Sequence, residues 1–134
     1  QGPMELEQLA EPGCEGPNLP LAQDADGIWR SDWAPLPTFL CDDTIPPARR
    51  AGGFHETMAA ALLAQAQRVR SRTPFQAVGL SGGVFQNRLL TERVCELLAD
   101  AAIPVRLHEA VPANDGGLCF GQVIEAAARQ NDSL

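Results

Sequence analysis

The stretch from Phe75 to Asn87 limits the fold most. An apolar run, Ala77 to Leu80, meets Ser81-Gly82-Gly83, and an amphipathic run follows at once. That order reads as a buried strand, a tight glycine turn and a helix N-terminus. The spacing predicts a helix over about Val84 to Asp100, with Phe85, Leu89, Leu90, Val94, Leu97 and Leu98 toward the core. A second strand, Ile103 to His108, leads through the loop Glu109 to Asn114 into a last helix, about Asp115 to Arg129. Strand, helix, strand, helix implies an α/β fold with parallel strands joined by a crossover. The loops after both strands then open on one carboxyl edge, where open α/β sheets bind ligands.

Upstream, a long helix is expected from about Pro47 to about Arg72, because Phe54, Met58, Ala61, Leu62 and Val69 recur on one face. Gly52-Gly53 is expected to divide it. His55 falls beside the apolar face and reads as a hydrogen-bonded boundary residue rather than a base or ligand. Met4 to Ala10 is a short helix, stopped by Glu11-Pro12-Gly13. Asp24-Ala25-Asp26-Gly27 reads as a hairpin turn between Leu19 to Ala22 and Ile28 to Arg30, since Asp-Gly tolerates positive φ. Trp29 and Trp33 read as packing anchors, with no basic residue between them beyond Arg30. The chain thus divides into an N-terminal helix, hairpin and Pro-rich connector (1–46) and a helix plus βαβα segment (47–134).

Composition removes several classes of function. A chain of 134 residues suits about one domain. Its net charge of -7 argues against a nucleic-acid or membrane surface, because both require a basic face. The absence of a long apolar run or a leader pattern suggests a cytoplasmic protein. Cys14, Cys41, Cys95 and Cys119 are too widely spaced to suggest a zinc knuckle. Cys95 and Cys119 fall in helical apolar patterns and read as small hydrophobes, and Cys41, beside Asp42 and Asp43, is a poor nucleophile.

The candidate chemistry lies at the carboxyl edge. Adjacent glycines let the backbone approach a ligand, and a helix start offers free N–H donors suited to a nucleotide ribose or phosphate. An ordinary strand-to-helix turn fits the same residues. Pro112 to Gly117 brings Asp115 to the start of the last helix, where it fits either an N-cap or an oxygen ligand for a cation that carries phosphates.

The run Ser81-Gly82-Gly83-Val84-Phe85-Gln86-Asn87-Arg88-Leu89-Leu90, with Val111 to Leu118 and Gly121-Gln122, resembles the C-terminal end of HypF carbamoyltransferases, which mature nickel-iron hydrogenases. Gln1 to Glu7 and the pair Phe54-His55 resemble further motifs of that family. The glycine motifs are also similar, less closely, to those of the tRNA threonylcarbamoyl-transferase (TsaD-like) family. The resemblance implies the C-terminal portion of a lobe of the actin and sugar-kinase (ASKHA, RNase H-like) fold. It further implies a split ATP site, with Ser81, Gly82, Gly83, Val84, Asn87 and Gly116 against the nucleotide and Asp115 as a ligand of a divalent metal (Mg, Zn or Fe).

The departures from the family matter equally. The H-x-x-x-H pair that would complete the metal site is absent, and His55 and His108 stand alone. Nor does the chain contain the family's upstream regions or the opening strands of the lobe. The expectation is therefore a fragment of a carbamoyltransferase, with no catalytic nucleophile or base of its own and inactive alone. In the whole enzyme the resemblance implies that carbamoyl phosphate and ATP give carbamoyl adenylate, which carbamoylates a HypE cysteine. The alternatives are a threonylcarbamoyl-transferase relative, another ATP-dependent enzyme, or a non-catalytic docking module. Exposed sheet edges make a homodimer of the fragment a further expectation.

Overall fold

In the computed structural model, which describes residues 2–131, the chain opens with α1 (Gly2–Leu9). Gln1, the first residue of the family-like opening, lies outside the described residues. A loop leads to the hairpin of β1 (Leu21–Gln23) and β2 (Trp29–Ser31), antiparallel with Ala22 opposite Arg30. The Asp-Gly turn forms as expected, with Gly27 at φ 80°. The Asp24 carboxylate accepts from Arg30 Nε at 2.6 Å and from the N–H groups of Asp26 and Ile28. The Arg30 bond, then the backbone donors, hold its carboxyl below the usual range.

Next come α2 (Pro35–Leu40) and α3 (Pro47–Arg70). The Gly52-Gly53 pair does not divide α3, which runs unbroken for 24 residues. Both glycines are buried under the loop after α1. A Cβ on Gly52 would stand 2.1 Å from the Glu11 carbonyl oxygen, and one on Gly53 would stand 2.5 Å from Phe39 Cζ. Close approach of the chain, rather than a helix stop, accounts for the pair.

Two clusters flank α3. Leu19, Leu36 and Ala61 form one with Phe39, Leu40 and Phe54. The other joins Ala59 to Leu80, Leu90, Val94, Leu98 and Ile103. α3 is therefore covered on two sides, by the N-terminal segment and by α4 (Arg88–Asp100). Val69, expected on the core face, lies past both clusters and is 54% exposed. The helices are also tied electrostatically, since Arg93 of α4 donates through Nε and Nη2 to both carboxylate oxygens of Glu56 on α3, at 2.6 and 2.9 Å. Glu56 first, and then Glu96, hold this guanidinium more firmly protonated than usual.

The two C-terminal strands are shorter than expected: β3 is Val78–Gly79 and β4 is Val105–Arg106. They pair in parallel, Val78 opposite Val105 and Gly79 opposite Arg106. Between α4 and β4 the chain turns at Ala102, at φ 53°, and Arg70 Nη1 donates to the carbonyls of Ala101 and Ala102. That contact satisfies acceptors that a helix end leaves open. After β4 a 3-10 turn, Asp115–Gly117, passes into α5 (Leu118–Asn131), which begins three residues later than expected. Leu118, Phe120, Val123 and Ile124 of α5 are between 53% and 65% exposed. Cys119, read as a small core hydrophobe, is exposed with them; Cys95 is part-buried against the second cluster, and burial raises its thiol above the ordinary range.

Trp29 packs as an anchor, with the Arg68 guanidinium 3.8 Å and that of Arg72 5.8 Å from its ring centroid. The basic partners absent from the local sequence thus arrive from the C-terminal end of α3, which carries Arg68, and from the turn just after it, which carries Arg72. Trp33 is half exposed.

Candidate nucleotide edge

Parallel pairing of β3 with β4 brings both glycine motifs to one edge. The Gly82 N–H donates to the Ala113 carbonyl at 2.6 Å, and a Cβ on Gly83 would lie 3.8 Å from Asn114 Cβ. Gly82 and Gly83 therefore adjoin Ala113 and Asn114, the residues just before Asp115 and Gly116 in the chain. Gly82 sits at φ 109°, ψ 155°, a region open essentially to glycine alone. No atom lies within 4 Å of a Cβ built there, so its backbone rather than lack of room requires glycine. Gly117 is held for the opposite reason, because a Cβ would stand 2.7 Å from the Pro112 oxygen.

A 3-10 turn, Gly83–Gln86, separates the glycines from α4, so the helix starts at Arg88 rather than Val84. Its first donors, expected from the sequence to be free for a ligand, are engaged within the chain. Glu7 Oε1 accepts from the N–H groups of Arg88 and Leu89 at 2.8 and 3.2 Å, and Asn87 Oδ1 accepts from Leu90 at 2.8 Å. An internal carboxylate from α1 thus occupies the anion position at this helix start. Donors without a partner among the described residues are instead the N–H groups of Gly83 and Val84. Ser81 Oγ beside them is likewise without a partner there.

Asn87 has a structural task. Beyond capping α4, it directs Nδ2 to His55 Nε2 at 2.8 Å, while His55 Nδ1 lies 2.8 Å from the Ala51 carbonyl. His55 is hydrogen-bonded as expected, but it is fully interior rather than at a boundary, with 2% of its surface exposed.

Asp115 does not cap the last helical segment. Asn114 does, its Oδ1 accepting from Gly116 N at 3.0 Å. The Asp115 carboxylate is exposed and without a partner among the described residues. It offers one oxygen ligand, yet the described residues hold no group of three metal-ligating side chains. His55 is turned inward with both nitrogens committed. The described residues of this chain therefore do not by themselves make a site for a divalent cation.

A separate hollow of about 560 Å³ lies where α1's loop meets α3 and α4, lined by Cys14, His55, Glu56, Glu92 and Arg93 among others. Sequence reasoning did not anticipate it, because its walls come from three distant segments.

The family model for the second subdomain of the carbamoyltransferase Kae1-like domain matches residues 1–122. Carbamoyltransferase HypF of Rhodobacter capsulatus is 38% identical over 126 residues, covering 94% of this chain and 16% of the relative. HypF2 of Cupriavidus necator is 36% identical over 111 residues, covering 83% of this chain and 14% of the relative. Among solved structures, full-length HypF in a phosphate- and nucleotide-bound form superposes with a TM-score of 0.83 at 30% identity, over 92% of this chain and 16% of that one. HypF of T. kodakarensis matches at a TM-score of 0.76 over 98% of this chain and 17% of that one; at 22% identity it supports the fold alone. This chain spans only about a sixth of each of these four proteins.

Proposed function

The chain belongs to the HypF carbamoyltransferase family, as a Kae1-like subdomain, and from that premise we propose that it supplies one wall of an ATP site in a longer carbamoyltransferase. The observation that carries this reading is the bond from Gly82 N–H to Ala113 O. It ties the turn whose Gly83 and Val84 N–H groups have no partner among the described residues to the loop that leads into Asp115 and Gly116. The similar full-length HypF was solved with nucleotide bound, which supports the choice of ligand.

In the longer protein, Gly83 and Val84 would donate to a polar group of the nucleotide, with Gly82 keeping side-chain atoms out of its path. Asp115 would contribute an oxygen ligand to a phosphate-bound cation whose remaining ligands come from outside this chain. The reaction we propose for the whole is transfer from carbamoyl phosphate, activated with ATP as carbamoyl adenylate, to the C-terminal cysteine of a HypE-like partner. The adenylate is a good leaving group, and the partner thiolate is the nucleophile, so this chain needs no nucleophile of its own. The apolar side of α5 fits surface that other parts of the longer protein cover.

The test is thermal unfolding of this chain with and without ATP and magnesium, beside Gly83→Val. A ligand at a hundred times its Kd, bound only by the native state, stabilises by about 2.7 kcal/mol. A rise in Tm that the variant loses supports the reading. If no rise appears here or in a chain extended upstream through the rest of the lobe, the nucleotide reading is overturned.

A further inference from the structure

The His55 and Asn87 side chains determine one another's state. A carbonyl oxygen can only accept, so the 2.8 Å contact with Ala51 O places the imidazole proton on Nδ1. Nε2 is then an acceptor. From the other end, the Leu90 N–H requires the amide oxygen of Asn87, which turns Nδ2 toward His55 at 2.8 Å. Both assignments agree, and neither amide flip nor tautomer exchange preserves all three bonds.

We propose that His55 is a positioning residue of the nucleotide edge, acting through Nε2 on Asn87. The identity of the ligand rests on the function proposed above; the hold on the turn does not. Asn87 is where the Gly83–Gln86 turn passes into α4, and its own N–H donates to Val84 O at 3.1 Å. Thr91 Oγ1 draws the same joint together by donating to the carbonyls of Phe85 and Asn87. The N–H groups of Gly83 and Val84 are therefore suspended between two anchors. One is Gly82 on Ala113, and the other is Asn87 on His55. α3 brings His55 to this place because Gly52 and Gly53 let it sit tightly under the loop after α1. A buried histidine that merely fills space would not need an acceptor facing the end of this turn.

Two substitutions separate positioning from stability. His55→Gln can present its amide oxygen near the Nε2 position, keeping the bond from Asn87 and giving up the one to Ala51. His55→Asn can present its amide nitrogen near Nδ1, keeping Ala51 and leaving Asn87 Nδ2 without an acceptor. Each forfeits one buried hydrogen bond, so their Tm losses should be similar. We would record the imidazole and amide nitrogen spectra of the ligand-free chain, then titrate ATP and magnesium. The proposal expects the proton on Nδ1 in the parent chain. It expects the Gly83 and Val84 amide resonances to shift in His55→Asn and stay near the parent positions in His55→Gln. Where the parent binds nucleotide, His55→Asn should weaken affinity about tenfold, the scale of one hydrogen bond, and His55→Gln about twofold or less. A proton on Nε2, or equal displacement of those resonances by both variants, overturns the proposal whatever the nucleotide does. If the spectra follow the expected pattern while the parent and an upstream-extended chain bind no ATP, the hold of His55 on the turn stands and the nucleotide reading alone falls.

Discussion

Two glycine pairs, thirty residues apart in sequence, are needed for opposite reasons. Gly52-Gly53 lies inside α3, where the chain itself fills the missing side chains: Glu11 O and Phe39 Cζ would stand 2.1 and 2.5 Å from added Cβ atoms. Around Gly82-Gly83 nothing from the chain fills the space; no atom lies within 4 Å of a Cβ on Gly82, and the nearest to one on Gly83 is 3.8 Å away. The first pair serves packing, and the second leaves an edge open. Identical dipeptides thus mark an interior contact in one place and an uncovered surface in the other.

Substituting the interior pair should produce the largest change. Gly52→Ala gains about 1 kcal/mol of helix propensity but drives a methyl into the Glu11 carbonyl, so a net loss of about 2–4 kcal/mol is expected in urea unfolding. A stabilised variant would remove packing as the reason for that glycine. Gly82→Ala comes next. It meets no atom but must hold φ 109°, and a loss of about 1–3 kcal/mol is expected; a neutral result would show that the turn relaxes freely. Gly83→Val should alter stability by less than about 0.5 kcal/mol, and calorimetry with ATP and magnesium should show binding lost. A large loss of stability there would place its side-chain direction inside the fold.

The smallest effect on stability is expected at Asp115. Because Asn114 is the cap, Asp115→Ala should leave Tm nearly unchanged while lowering carbamoyl transfer by the full-length enzyme. Asn114→Ala should instead cost about 1 kcal/mol through the lost cap. Equal Tm losses in the two variants would restore the capping role to Asp115, and undiminished transfer in Asp115→Ala would remove its place at the edge.

Much of this arrangement was legible in the residues. Asp24 to Gly27 encode the hairpin turn locally, and the apolar periodicities of α3 and α4 identify both helices. The parallel order of β3 and β4 follows from their being separated by one helix, and it suffices to bring Ser81–Gly83 and Asn114–Gly116 together. What was not legible depended on partners far along the chain. Glu7 occupies the start of α4 across 81 residues, so donors that looked free are spent. Arg68 from the end of α3 and Arg72 from the turn after it reach Trp29, although its neighbours in sequence offer only Arg30.

By itself, then, the sequence determined the order of elements, the glycine turn and its relation to a second loop, because spacing and turn chemistry act over a few residues. Only the tertiary structure decided that Gly52-Gly53 does not interrupt α3, that Asn114 rather than Asp115 is the cap, and that His55 holds Asn87. Each of those outcomes turns on which of several chemically competent groups arrives within about 3 Å, and packing alone sets that distance.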